Sequence, residues 1–222
     1  MQYAVIIPGA GSSSRFQKDK LTFKINNQYL IHHTVSNFLD DNECKKIILL
    51  VNKSKYDFYK NLYCLQNKIL VIGVATTSRH ETVKIGLQYC TKNEYVLIHD
   101  ACRPYVTQNL IEIVKSKLKD GYDAVCPIVD IVDSVIDINN NQIKYLERNN
   151  IKRVQTPQGF KFSILMNAFG DAQSSNEIFN DEFSLVLSRQ SKIKHLLVQG
   201  EVGNTKITVP EDVSVIDYDL ND

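Results

Sequence analysis

Tyr3-Ala4-Val5-Ile6-Ile7-Pro8-Gly9-Ala10-Gly11-Ser12-Ser13-Ser14-Arg15 decides the fold. The run 3–7 is continuously apolar, short and rich in β-branched residues, so it reads as a central strand of a parallel sheet, buried on both faces. Pro8 cannot donate to a sheet ladder and ends it. Residues 9–15 then offer small side chains, open backbone N–H groups, hydroxyls and one cation. Such a loop is either a tight turn chosen for packing or a cradle for phosphate. Arg15, with Lys20 five residues on, favours the anion. A dinucleotide site is disfavoured, because the third glycine of G-x-G-x-x-G is Ser14 here. The next strand, Ile47 to Val51, also runs out at Asn52 and not at an acid.

Outward from this stretch, strands and helices alternate. Helical spacing covers 30–39, a region around 56–65, 81–90 and 108–118; strands are expected at 47–51, 68–74, 95–98 and 124–129. The chain therefore reads as an α/β fold, a mostly parallel twisted sheet with helices on both faces, Rossmann-like and in one domain over 1–222. Residues 131–150 break the rhythm. Ser134 to Ile138, an asparagine turn and Gln142 to Leu146 read as an inserted β-hairpin, either a dimerisation arm or a simple surface excursion. Later helices are expected at 161–169, near 181–189 and after Pro210-Glu211-Asp212, with a strand at 194–198.

The 222 residues carry a net charge of +1, which argues against a nucleic-acid surface. No stretch approaches ~20 consecutive apolar residues, so neither a membrane span nor a signal peptide is expected. Cys44, Cys64, Cys90, Cys102 and Cys126 are scattered without C-x-x-C, as suits reduced cytoplasmic thiols, and no zinc site is expected.

Three further stretches carry candidate chemistry. His99-Asp100-Ala101-Cys102-Arg103-Pro104 follows a strand, where open α/β sheets bind ligands. There Asp100 suits a hydroxyl or a divalent metal and Arg103 a phosphate, unless the two merely pair across a turn. Ser78-Arg79-His80-Glu81-Thr82 opens a helix capped by Ser78 or Thr77, with Glu81 completing a capping box and Thr82 placed for a base edge. Gln155-Thr156-Pro157-Gln158 is a stiff polar stretch with Arg148, Lys152 and Arg153 before it. Lys206, ahead of Pro210-Glu211-Asp212, is by spacing alone either a site residue or a surface lysine.

Together these motifs resemble the 2-C-methyl-D-erythritol 4-phosphate cytidylyltransferases and their ribitol 5-phosphate relatives. Residues 8–15 are similar to P-A-A-G-x-G-x-R, 99–104 to H-D-A-x-R-P, 156–158 to T-P-Q and 206–212 to K-V-T-x-P-E-D. The resemblance implies a homodimeric, cytoplasmic cytidylyltransferase that uses CTP and Mg²⁺, with no metal ligand assigned. A sugar-alcohol phosphate would attack the α-phosphorus directly and pyrophosphate would leave. It implies catalytic roles for Arg15, Lys20 and Lys206. Nucleotide contacts are implied for Pro8, Gly9, Ala10, Gly11, Thr82 and Asp100, and acceptor contacts for Asp100, Arg103 and, from the partner's arm, Arg148. The chain departs from the pattern at Asp19, where the family usually has Pro, and at Ala75-Thr76, where it has Gly-Gly. It departs again at Ile131, where ungapped counting puts a substrate-contacting Thr; a slip of three would bring Ser134 there. The most expected acceptor is 2-C-methyl-D-erythritol 4-phosphate. The alternatives are ribitol 5-phosphate or another polyol phosphate, and a non-catalytic nucleotide-binding dimer.

Overall fold

Side chains along a strand point alternately to its two faces, and in this chain both faces are dry. The computed structural model describes residues 1–11, 16, 19–76, 78–91, 95–139, 142–171, 179–189, 192–209 and 211–212. In strand β1, Tyr3–Gly9, Tyr3, Val5 and Ile7 enter one hydrophobic layer while Ala4 and Ile6 enter the other. That two-sided burial explains an apolar run without polar interruptions.

A two-residue hairpin follows, β2 Lys24–Ile25 and β3 Gln28–Tyr29. Asn26 and Asn27 turn it with positive φ of 49° and 64°, the backbone that a tight hairpin demands and asparagine tolerates. Next come α1 Leu30–Leu39, β4 Cys44–Asn52, α2 Tyr56–Leu62, β5 Ile69–Val74, α3 Arg79–Leu87, β6 Tyr95–Ile98, α4 Gln108–Lys119 and β7 Ala124–Asp130. The inserted hairpin is β8 Val135–Asn139 with β9 Gln142–Leu146; the expected turn residues Asn140 and Asn141 lie outside the described residues. The rest is β10 Lys152–Val154, β11 Gln158–Lys161, α5 Phe162–Asp171, α6 Glu182–Arg189 and β12 His195–Gln199. The expected C-terminal helix falls almost wholly outside the described residues.

The sheet has eight strands. β5, β4, β1 and β6 are parallel neighbours. β11 runs antiparallel between β6 and β7, β10 pairs antiparallel with the far half of β7, and β12 lies parallel on the other side of β7. The sheet is thus mixed but mostly parallel, with α1, α2 and α4 on one face and α3, α5 and α6 on the other. This bears out the expected α/β architecture, and it sends the ends of β1, β6 and β7 to one edge. Among the described residues no helix is long and apolar enough to cross a membrane.

Helix α3 has a weak apolar pattern because Gly86, at its closest approach to the sheet, has no side chain. A Cβ there would lie 2.7 Å from Ile6 Cγ2 and 3.0 Å from Leu50 Cδ1. Gly170 in α5 faces nothing within 4 Å. Ala is the better helix former, so Gly170→Ala should gain about 0.5–1 kcal/mol. Gly86→Ala should instead lose about 1–3 kcal/mol through overpacking. Urea unfolding of both variants checks this; an equal gain in each would show that α3 is not pressed against β1.

Candidate functional site

The edge is built around the loop after β6. His99 is fully buried, and its Nε2 lies 3.0 Å from the Arg103 carbonyl. A carbonyl only accepts, so Nε2 carries the proton and Nδ1 accepts, here from the Thr156 hydroxyl at 3.1 Å. The same hydroxyl oxygen accepts the Asp100 N–H at 3.0 Å. The H-D-A-C-R-P and T-P-Q stretches are therefore one clasp, and the Thr156–Pro157 peptide within it is cis. Helix α1 holds the loop from beneath: Thr34 Oγ1 donates to Ala101 O at 3.0 Å and Asn37 Nδ2 to Pro104 O at 3.2 Å.

The clasp delivers Asp100, 6% exposed, into a ring of cations. Its Oδ1 lies 3.1 Å from Arg79 Nε and 3.0 Å from Arg79 Nη2. Its Oδ2 lies 2.8 Å from Lys206 Nζ and 3.6 Å from Arg103 Nε. Burial alone would raise this carboxyl, but Arg79, Lys206 and Arg103 hold it well below the usual carboxylate range. Arg79 Nη1 also binds both oxygens of the fully buried Glu182, at 2.7 and 2.5 Å. Three cations thus meet two carboxylates, and the group keeps a net positive charge.

The expected site residues fall as follows. Lys20 and Lys206 converge on one thiol: burial raises Cys102, while the positive charges of Lys20 and Lys206 pull it the other way. Lys206 is 41% exposed, so its ammonium reaches solvent while touching Asp100. Asp212 steadies its loop, accepting from Thr208 N at 2.6 Å, Thr208 Oγ1 at 2.8 Å and Val209 N at 3.0 Å. Arg103 donates through Nη1 to Asn204 O at 2.7 Å and Nη2 to Val154 O at 3.2 Å, so its fork ties two loops together. Pro8 is half-buried and Ala10 buried. Gly9 packs tightly, since a Cβ there would sit 2.9 Å from Leu21 Cδ1 and 3.1 Å from Leu50 O; Gly11 faces open space. Thr82 is buried and donates to Ser78 O at 2.8 Å. Arg148 lies at the base of the hairpin, exposed, with Nη1 on Val132 O at 3.0 Å. Arg15 lies outside the described residues.

Ser78 caps α3, accepting from Glu81 N at 3.3 Å, while Thr77 lies outside the described residues. The box closes through an added member: Glu81 takes the Thr76 hydroxyl, whose oxygen accepts Ser78 N–H at 3.1 Å. Sequence reasoning did not assign Arg79 or Glu182 to the site. Arg79 was visible inside its motif, but nothing local marks Glu182 as its partner. Arg153 was equally unassigned; with Arg103, Gln155, Asn204 and Lys206 it lines a hollow of about 320 Å³ beside Asp100.

Among the described residues no group of three His, Cys, Asp or Glu side chains is placed to hold a metal ion, and Asp100 is already taken up by cations. A magnesium cage built from these side chains does not fit this edge.

An edge with surplus positive charge, beside a glycine turn that leaves a central strand, suits the transfer of a nucleotide between phosphates, and the class is nucleotidyltransferase. Residues 3–221 match the family model of 2-C-methyl-D-erythritol 4-phosphate cytidylyltransferase (IspD), and the chain belongs to that family of CTP-dependent enzymes. Enzymes of that name from Bacillus cytotoxicus (33% identical, covering 99% of this chain and 98% of theirs) and Wigglesworthia glossinidia brevipalpis (35%, 98% and 95%) are among its relatives. The fold matches the solved 4-diphosphocytidyl-2C-methyl-D-erythritol synthase of Anaerococcus prevotii, with a TM-score of 0.86 at 23% identity over 100% of this chain and 99% of that one. It also matches the Francisella tularensis 2-C-methyl-D-erythritol 4-phosphate cytidylyltransferase, with a TM-score of 0.82 at 27% identity over 98% and 99%.

His99 supplies a pH test of the clasp. Burial pushes its imidazole from 6.5 down to about 4. As pH falls through that window the unfolded chain takes up a proton that the folded chain refuses, so stability present above pH 6.5 is lost. The stability gap between wild type and His99→Gln should therefore narrow by about 3 kcal/mol between pH 7 and pH 4. Urea unfolding across that range measures it, and a constant gap would show that His99 is not held neutral.

Proposed function

We propose that this chain moves the cytidylyl group of CTP onto the phosphate of 2-C-methyl-D-erythritol 4-phosphate and releases pyrophosphate, a step in isoprenoid precursor synthesis. The observation that carries this is the pair Lys20 and Lys206, brought from opposite ends of the chain to the Asp100–Cys102 loop. A phosphate oxygen of the acceptor forms a bond to the α-phosphorus of CTP as the bond to the bridging oxygen of pyrophosphate breaks. The acceptor is already anionic, so no general base is needed. The barrier lies in bringing two polyanions together, and fixed cations lower it by positioning and by neutralising developing charge. Arg15, in the glycine loop, is assigned to the same task. Magnesium is taken to enter with the triphosphate as its ligand.

The base sits against Pro8, Gly9, Ala10 and Thr82. Because the Thr82 proton is spent on Ser78, its oxygen can only accept towards a ligand. Cytosine offers an amino donor at the position where uracil offers an oxygen. The hollow lined by Arg103, Arg153, Gln155 and Lys206 takes the acceptor, and Asp100 contacts its hydroxyls. The hairpin reaches a second copy: Ile138 and Ile143 face each other across its strands and are each 65% exposed, and Tyr145 is 75% exposed. From that arm Arg148 serves the partner's acceptor phosphate. The reaction is assigned to the cytoplasm, which suits five cysteines of which none is in a disulfide.

Lys20→Ala and Lys206→Ala should each lose roughly 10²–10³ in turnover, with CTP binding far less affected. Pyrophosphate release with CTP or UTP, against a panel that includes ribitol 5-phosphate, tests the assignment. Near-wild-type turnover in either variant removes that lysine from the mechanism, and equal turnover with ribitol 5-phosphate removes the acceptor assignment.

Arg148→Ala should raise the acceptor KM while sparing CTP binding. Mixed with Lys20→Ala under proven subunit exchange, it should regain activity, since one site of each mixed dimer is then intact. No recovery would place Arg148 outside a shared site.

A further inference from the structure

Lys20 rides on a single 3₁₀ turn, Lys20–Thr22, and this turn is fastened away from the site. Asp19 caps it: Oδ1 accepts Leu21 N–H at 3.2 Å, while its carbonyl accepts Thr22 N at 3.2 Å and Thr22 Oγ1 at 3.0 Å. The other carboxylate oxygen, Oδ2, leaves the turn altogether. It accepts the Tyr59 hydroxyl at 3.0 Å and meets Lys55 Nζ at 2.8 Å. Both partners come from the segment after β4, on the face opposite α3. Tyr59 is 1% exposed, so its hydroxyl has few alternatives to Asp19. Asn52, the last residue of β4, caps the start of that segment, its Oδ1 accepting Ser54 N at 3.0 Å and Ser54 Oγ at 2.8 Å. With Gly9 and Gly11 these residues wall a hollow of about 280 Å³ behind the glycine turn.

Position 19 is where the sequence departs from the family's usual Pro. Asp19 has φ −67°, the angle a proline ring enforces. A proline would fix the turn covalently; here a buried tyrosine, a lysine and an N-cap hold the same backbone by polar bonds. On the opposite side Leu21, 4% exposed, is pressed beneath Gly9. The turn is held at both ends, and it carries Lys20 near enough to Cys102 and Asp212 for its positive charge to favour the ionised form of each.

We infer that Lys55 and Tyr59 are positioning residues for Lys20, acting through Asp19 as a polar clamp that replaces the ring of a proline. The inference rests on the proposed role of Lys20, yet the clamp can be read without catalysis.

The test is a double-mutant cycle. Tyr59→Phe with Lys55→Met keeps side-chain volume and removes both outer bonds. In the wild-type background this pair should lower kcat about tenfold, the scale of a small misplacement of a catalytic group, with KM for CTP changed less than about twofold. Asp19→Ala should lower kcat at least as far, and Asp19→Pro should recover most of that loss. Added to Asp19→Pro, the Tyr59 and Lys55 changes should shift kcat by less than about twofold, because their route through residue 19 is gone. The acylation rate of Lys20 by an amine-reactive ester, followed by peptide mass spectrometry, should rise in the Tyr59 and Lys55 double variant and return with Asp19→Pro. The clamp is overturned if the double variant leaves both kcat and Lys20 labelling unchanged, or if its effect is equal in the two backgrounds. Should wild type release no pyrophosphate, the proposed function fails, and the labelling rates alone decide the clamp.

Discussion

A buried carboxylate is tolerated only when cations surround it, and Asp100 meets that condition with Arg79, Arg103 and Lys206. Each cation arrives from a different part of the chain: the start of α3, the loop after β6 and the segment after β12. One acid therefore does for this edge what a core does for the sheet, joining segments that are distant in sequence. The cations are ordered by Asp100 and do not wait for substrate to order them.

The arrangement separates cations that hold the structure from cations free to act. Arg79 is spent on Asp100 and Glu182, and Arg103 on two carbonyls and Asp100. Lys206 touches the same acid but remains open to solvent, and the charge of Lys20 is felt at the Cys102 thiol. Removing an arginine would leave buried acids uncompensated, a stability defect. The lysines can exchange their present neighbours for phosphate oxygens at lower cost. This division is why turnover and folding should respond to different members of one charge cluster.

The supporting shell is polar where it must be directional and apolar where it need only fill space. His99 and Thr156 together carry the three hydrogen bonds of the clasp, and Asp212 gathers three from the Lys206 loop. Beneath them lie two dry layers, with Gly86 letting α3 pack closely against Ile6 of β1 and Leu50 of β4.

The run from Tyr3 to Ile7 and the alternation of strand and helix made the α/β fold legible from residue types alone, because burial on two faces excludes polar side chains. The loops that carry Lys20 and Asp100 were legible for a similar reason, since glycines, acids and cations stand just past strand ends, whereas Lys206 was ambiguous by spacing and entered only through the resemblance. The hairpin of Asn26 and Asn27 went unread, being two residues per strand, too short to show a period. The partners were also hidden. Glu182 meets Arg79 across 103 positions, Thr156 meets His99 across 57, and Tyr59 meets Asp19 across 40. A periodic pattern tells which face a residue occupies, and a cap tells where a helix begins. Neither tells which distant residue stands opposite, since that depends on strand order. Only the packed sheet, with β11 set between β6 and β7, decided that the T-P-Q stretch would brace Asp100 and that the cations would converge on it.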